Sequence, residues 1–225
     1  MIDFKEKLES QNIILTPQME KQFEKYYSLI LKYNSIMDLT AVNPDEIYER
    51  HFFNSLTIAF NKDFNNCSLC DVGSGAGFPA IPLKIIFPNM QLTIVDSLGK
   101  RMDFLKIVIK ELDLKDITII NDRVENIAIK YREKFDIVTA RAVARLNILV
   151  ELVSQLIKVN GTFIAMKGEK GNEELLEAKN ALKITHLNLN ETVLFDKSIN
   201  FFFNKEKSID KKYPRNYSQI KKMPL

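Results

Sequence analysis

Cysteine and histidine are scarce in this 225-residue chain, with two of each, and that scarcity removes most metal and redox chemistry. Cys67-Ser68-Leu69-Cys70 has the spacing of half a zinc site, but such a site needs four ligands. The only further soft ligands, His51 and His186, stand far apart in the sequence, so no metal is expected. A thioredoxin-like pair belongs near a helix start, whereas Cys67 to Val72 reads as a strand. Both cysteines are expected as small, largely buried hydrophobes. No run of eighteen apolar residues is present to cross a membrane. The first residues, Met1-Ile2-Asp3-Phe4-Lys5-Glu6-Lys7, lack the apolar stretch of a signal peptide, so the expectation is a cytoplasmic chain without membrane attachment. Net charge is also small, +3, and the field of the whole molecule selects no class of partner.

What is present points to one domain with a small addition. Hydrophobic residues make up 46% and charged residues 27% of the chain, enough for a sizeable core. The charge is uneven. From Lys205 to the end, seven basic residues face two acidic ones, a net +5, and the remainder sums to −2. The boundaries that follow are a helical lobe over residues 1–60, a ligand-binding domain over 61–205 and a basic tail over 206–225.

In the lobe, Met19, Phe23, Tyr26, Tyr27 and Ile30 share a helical face, and Pro17 suits its first turn. Asn43-Pro44-Asp45-Glu46 offers a cap, a proline and carboxylates for a second helix reaching about Phe60. From Ser68 the pattern changes to short apolar runs alternating with helical ones, the sign of a doubly wound, mostly parallel α/β sheet. Strands are predicted at Ser68–Val72, Gln91–Val95, Ile117–Asn121, Phe135–Thr139 and Gly161–Met166. Helices are predicted at Phe78–Phe87, Gly99–Leu112 and Leu146–Val159. A charged helix at Glu173–Leu182 precedes two β-like runs, Thr185–Leu194 and Ile199–Lys205, close enough to form a hairpin.

The most informative stretch is Asp71-Val72-Gly73-Ser74-Gly75-Ala76-Gly77, which closes the first strand. Its glycines permit a tight turn and close approach of a ligand to bare backbone. The dinucleotide fingerprint reads G-x-G-x-x-G, but here the spacing is G-x-G-x-G, with Phe78-Pro79 where a pyrophosphate needs free helix amides. A nucleoside ligand without phosphates, such as S-adenosylmethionine, fits better. Asp96 ends the second strand, where a carboxylate can accept from both ribose hydroxyls. Asn121-Asp122-Arg123-Val124-Glu125 follows the third strand, placed to border an adenine ring. For Asp71 a loop-stabilising role stands beside a ligand-binding one, and for Asp122 a turn role does.

These residues carry a resemblance. Asp71 to Pro79, Asp96-Ser97-Leu98-Gly99-Lys100-Arg101, Arg123-Val124-Glu125 and Thr139-Ala140-Arg141-Ala142 are similar to the small-subunit ribosomal RNA methyltransferase G family, also called glucose-inhibited division protein B. Asp38-Leu39-Thr40-Ala41, Arg50-His51-Phe52-Phe53-Asn54-Ser55 and Met166-Lys167-Gly168 extend the likeness over most of residues 30–170. The resemblance implies a class I, Rossmann-like methyltransferase fold and N7-methylation of one guanine of 16S rRNA from S-adenosylmethionine. It implies cofactor contacts by Gly73, Phe78, Val124, Glu125 and Arg141, to which the loop and strand-end reading adds Gly75 and Asp96, and action on 16S rRNA or the small ribosomal subunit; a monomer is expected. The family's usual Asn-Leu-Thr reads Asp38-Leu39-Thr40 here, its aspartate after Arg-His is Asn54, and Tyr213-Pro214-Arg215 is followed by Asn216-Tyr217-Ser218 rather than a glycine.

N7 of guanine carries a lone pair and no proton, so its methylation needs alignment and water exclusion rather than a base. The residues agree with that chemistry. Both cysteines lie too early for the nucleophile of a pyrimidine C5 enzyme, and Thr139-Ala140-Arg141-Ala142 stands where an amine methylase carries Asn/Asp-Pro-Pro-aromatic. Guanine offers O6 and N7 as acceptors, and Arg145 and Lys167 are the candidates to position it, with His51 stacking on or bonding to RNA from the lobe. Three alternatives stay open: an NAD-dependent oxidoreductase, a non-catalytic RNA-binding ribosome-assembly protein, and a methyltransferase acting on a protein or small molecule.

Overall fold

The computed structural model describes residues 2–225. Its lobe starts with helix α1 (Ile2–Glu9) and α2 (Pro17–Met37). The Thr16 side chain caps α2 by accepting from the Met19 N–H at 3.2 Å. At its end Asp38 takes the left-handed conformation, φ 48°, which the short polar side chains of Asp and Asn both tolerate. Phe23, Tyr26, Leu29 and Ile30 form the buried stripe.

The single helix expected from Asn43 to Phe60 is replaced by shorter pieces. A 3₁₀ turn at Pro44–Glu46 leads to a π-helical stretch at Tyr48–Phe53, then to α3 (Asn54–Leu56) and a second 3₁₀ turn. Asn43 directs its amide to the Glu46 carboxylate at 3.3 Å instead of capping. The wider turn has a packing consequence, since His51, Phe52 and Phe53 are consecutive yet all buried. A π turn lets neighbours share an inward arc that α geometry divides. Here the three rings reach Phe78, Tyr26 and Phe195 respectively.

Seven strands form one sheet: β1 (Ser68–Val72), β2 (Gln91–Val95), β3 (Ile117–Ile120), β4 (Phe135–Arg141), β5 (Ile157–Lys167), β6 (Leu187–Phe195) and β7 (Ser198–Lys205). Their order is β3-β2-β1-β4-β5-β7-β6. The first five strands pair in parallel and β7 runs antiparallel to both neighbours, so the predicted hairpin is present. Between them lie α4 (Ala80–Ile86), α5 (Gly99–Glu111), α6 (Val124–Ile127), α7 (Leu146–Ser154), α8 (Gly171–Glu177) and α9 (Lys179–Thr185), with α10 (Tyr217–Lys222) near the end. Apolar cores cover both faces. One joins α4 and α5 to the lobe through Phe23, Tyr26, Phe52 and Phe104, and the other joins α7 to Phe163, Phe201 and Ile220.

Two predicted helices are corrected. The expected Glu173–Leu182 helix is divided at the buried Ala178 into α8 and α9. Helix α7 stops at Ser154 rather than Val159, and Ile157–Asn160 belongs to β5. Lys205 supplies the reason. Its fully buried ammonium donates to the Ser154 and Ile157 carbonyls at 3.0 and 2.8 Å and to Glu133 at 3.0 Å. A cation on the last carbonyls suits a helix end, and burial lowers the pKa of Lys205 from its ordinary value. Breaking a buried ion pair costs about 3–5 kcal/mol, so Lys205→Ala is expected to lose about 3 kcal/mol in urea denaturation, and a loss below about 1 kcal/mol would contradict this account.

Candidate active site

Strand order reverses between β1 and β4, and ligands of open α/β sheets bind beyond the carboxyl ends of strands at such a point. Gly73 begins the loop there with φ 70° and donates its N–H to the Val95 carbonyl at 2.7 Å. A Cβ on Gly73 would stand 2.5 Å from a Val143 methyl, so a side chain has no room. Gly77, at φ 105°, is equally confined, its would-be Cβ 2.7 Å from Ile81 and from the Tyr26 hydroxyl. That hydroxyl donates to the Ala76 carbonyl at 2.6 Å, pinning the loop from the lobe.

The end of the loop is bonded internally. Gly77 and Phe78 donate to the Ser74 carbonyl at 2.9 and 3.0 Å, and Ile81 donates to that of Gly77 at 2.8 Å. A pyrophosphate needs such amides free. Asp96 is 6% exposed and joins two loops, accepting from Gly75 N–H at 3.0 Å and from Leu98 N–H at 2.9 Å. A carboxylate retains further lone pairs for ribose hydroxyls. Asp122 accepts from Arg123 N–H and Asn126 at 2.7 Å each, which makes it a turn residue.

A cavity of about 310 Å³ results, lined by Gly73, Asp96, Arg123, Val124, Glu125, Val143 and Tyr217 among others. It brings Gly73, Asp96, Val124 and Glu125 together and Gly75 beside them, but not Phe78 or Arg141. Beneath the loop, fully buried Asp71 accepts from the Thr139 hydroxyl at 2.7 Å, and burial raises its pKa to about 7. Its other oxygen, Oδ2, is buried, and a hydrogen bond from the Ser74 hydroxyl opposes the rise. S-adenosylmethionine has two ribose hydroxyls to meet Asp96 and no phosphate, so the residues of the cavity fit it.

Phe78 and Arg141 serve the lobe. Phe78 stacks on His51 with centroids 4.3 Å apart, and the Arg141 guanidinium lies 5.5 Å over the Phe78 ring. Arg141 donates to His51 Nδ1 at 2.8 Å. Arginine only donates, so Nδ1 accepts, and Nε2–H donates to the Thr40 hydroxyl at 2.6 Å. Burial, followed by the charges of Arg141 and Arg50, lowers the His51 pKa to about 3, and burial lowers that of Arg141 to about 10. His51 is therefore neutral, Arg141 charged, and His51 too buried to stack on RNA.

A second cavity of about 1060 Å³ adjoins the first, sharing Ala142 and Val143 and lined also by Arg50, Asn54, Arg141, Lys167 and Lys197. Lys167 lines it, but its ammonium donates to the Ala144 carbonyl at 2.6 Å and pairs with Glu174 at 2.8 Å. Glu174 in turn accepts from Leu146 N–H at 2.8 Å. Arg145 is not part of this lining and grips Glu177 with bonds of 2.6 and 3.1 Å. Asn54, where the resembled family has aspartate, donates to the Ser198 hydroxyl at 2.7 Å and ties lobe to hairpin. Sequence reasoning missed Val143, Glu174 and Tyr217, because their roles depend on contacts across strands and no local pattern marks them.

This architecture is the class I, Rossmann-like fold of S-adenosylmethionine-dependent methyltransferases. An S-adenosylmethionine-dependent methyltransferase from Aquifex aeolicus superposes with a TM-score of 0.59 at 15% identity, covering 79% of this chain and 97% of that one. TYW2 of Methanococcus jannaschii, solved with AdoMet, gives 0.58 at 15% identity, covering 70% and 77%. A family model described as rRNA small subunit methyltransferase G matches residues 19–201. Ribosomal RNA small subunit methyltransferase G from Staphylococcus aureus (strain Newman) is 45% identical over 98% of this chain and 96% of its own length. The chain belongs to the rRNA small subunit methyltransferase G family.

The two displaced pKa values oppose each other. Between pH 3.8 and 6.5, His51 holds its proton only when unfolded (6.5, against about 3 folded), whereas Asp71 holds one only when folded (about 7, against 3.8 unfolded). Acidification through this window thus destabilises through His51 and stabilises through Asp71. Relative to the parent, Asp71→Asn should lose stability from pH 6.5 to 4.5 by up to about 1.4 kcal/mol per unit, and His51→Gln should gain it. Parallel urea-midpoint profiles for the parent and both variants would contradict these assignments.

Proposed function

We propose that this chain transfers the methyl group of S-adenosylmethionine to N7 of one guanine in 16S ribosomal RNA. The observation that carries the reading is the junction of two cavities at Ala142 and Val143, the smaller suited to a phosphate-free nucleoside and the larger bordered by Arg50, Lys170 and Lys197. Gly73, Gly75, Asp96, Val124 and Glu125 would hold the cofactor. When bound, S-adenosylmethionine supplies a sulfonium methyl that the N7 lone pair takes in line, releasing S-adenosylhomocysteine.

N7 loses no proton in this reaction, so the residues align and exclude water. Lys167 holds the Ala144 carbonyl and, through Glu174, the Leu146 amide, fixing the chain just beyond the segment where the cavities meet. It is a positioning residue. Arg141, held by His51 and Phe78, keeps the lobe against the larger cavity. Arg50, Lys170 and Lys197 are exposed and suited to phosphates. The dinucleotide alternative is disfavoured by the Gly77 and Phe78 amides, which are already bonded to the Ser74 carbonyl where a pyrophosphate needs them free.

Labelled methyl transfer to small-subunit rRNA from cells lacking this protein, followed by mass spectrometry, should yield a single N7-methylguanosine. Label at another atom, or none despite cofactor binding, would overturn the assignment. Lys167→Ala should lower kcat about tenfold or more through lost alignment, with the Kd for S-adenosylmethionine little changed; an equal loss of cofactor binding would remove Lys167 from this role.

A further inference from the structure

The chain beyond β7 turns back across the outer face of α7. Arg215 meets the fully buried Glu151 carboxylate of α7 three ways: its backbone N–H and Nε reach Oε1 at 2.9 Å each, and Nη2 reaches Oε2 at 2.6 Å. Arg132 and Gln155 donate to the Ile209 and Asp210 carbonyls at 2.6 and 2.8 Å, and Ile220 is buried in the α7 core. Asn216 then caps α10 by accepting from Gln219 N–H at 3.1 Å. So anchored, the segment brings Tyr217 to the wall of the smaller cavity, where the Arg123 guanidinium lies 5.4 Å from its ring centroid.

Strand order indicates which end of a ligand meets this ring. Because the strands run β3-β2-β1-β4, the cavity passes from Val143 after β4, over Gly73 after β1 and Asp96 after β2, to Arg123–Glu125 after β3. The reacting group belongs where the two cavities join, at Ala142 and Val143. The nucleoside base therefore lies at the opposite end, beside Arg123 and Tyr217. We propose that the C-terminal segment is a component of the cofactor site and that Tyr217 forms the wall against which the adenine of S-adenosylmethionine stacks. This inference rests on the smaller cavity being the cofactor site. A tyrosine face offers a rigid stacking surface, and Arg123 and Glu151–Arg215 hold it in place.

Calorimetric titration of the full chain with S-adenosylmethionine, and with 5′-methylthioadenosine, which keeps the nucleoside and lacks the amino acid, tests the assignment. Tyr217→Ala should weaken both by the same factor, roughly tenfold, whereas Tyr217→Phe binds as the parent does. Asp96→Ala is the control. If it loses binding while Tyr217→Ala, folded by circular dichroism, binds normally, the stacking role is wrong and the cofactor site stands. If the parent fails to bind, or Asp96→Ala binds unchanged, the cofactor-site reading falls and this inference with it. Hydrogen exchange gives a test independent of any variant. S-adenosylmethionine should slow exchange over residues 216–222, and unchanged exchange there despite binding would overturn the proposal.

Discussion

The close approach of Val143 to Gly73 is the constraint on which the rest of the site depends. With the would-be Cβ position of Gly73 only 2.5 Å from a Val143 methyl, only bare backbone lets the segment after β4 settle over the loop after β1. That single contact makes Val143 a wall of both cavities. The segment is also held from the other side. Ala142 sits at φ 55°, a conformation unfavourable for a residue with a Cβ, and Lys167 and Glu174 fix Ala144 and Leu146 beyond it. Two part-buried polar contacts thus hold the chain just beyond the strained Ala142.

The lobe joins this arrangement through a neutral histidine. Arg141 continues β4, the strand that also supplies Thr139 to Asp71, and its guanidinium ends on His51 Nδ1. Protonating His51 would remove that acceptor and place two cations in contact, which burial makes still less favourable. Tyr26 makes a second lobe connection through the Ala76 carbonyl. The glycine loop and the β4 segment are therefore both referenced to the lobe, and a displaced lobe would disturb both cavities together. Phe78 lies between these connections, stacked on His51, which accounts for a phenylalanine just after the glycines without any contact to the smaller cavity.

Much of this was legible in the sequence where the pattern is local. All five parallel strands, the hairpin, the start of α2 at Pro17 and the grouping of Gly73, Asp96, Val124 and Glu125 follow from periodicity and from strand-end positions. The failures share a cause, which is tertiary contact overriding local preference. The stretch Leu146 to Val159 keeps an apolar pattern that reads as one helix, whereas the Lys205 ammonium, distant in sequence, takes the Ser154 carbonyl where the helix ends. The Asn43 to Phe60 helix fails because His51, Phe52 and Phe53 each have a partner on a different element. His51 reads from its motif as an RNA contact, but it is buried and its Nδ1 already accepts from Arg141. Sequence alone cannot show which donors a fold has already used.

The same reasoning changes how the charge of the chain should be read. Counting residues gives the segment from Lys205 onward a net +5, which suggests an arm for phosphates. Two of its seven cations are structural, since Lys205 is fully buried on helix-terminal carbonyls and Arg215 is committed to buried Glu151. Lys212 also lies 3.4 Å from Asp210. An exposed pair like this one contributes little and leaves its charges open to solvent, but a buried pair withdraws both partners from any outside ligand. Positive charge available to a polyanion is accordingly less concentrated in the tail than the sequence implies. Arg50, Lys170 and Lys197 add exposed positive charge at the larger cavity, interleaved there with Glu46, Glu49, Glu169 and Asp196.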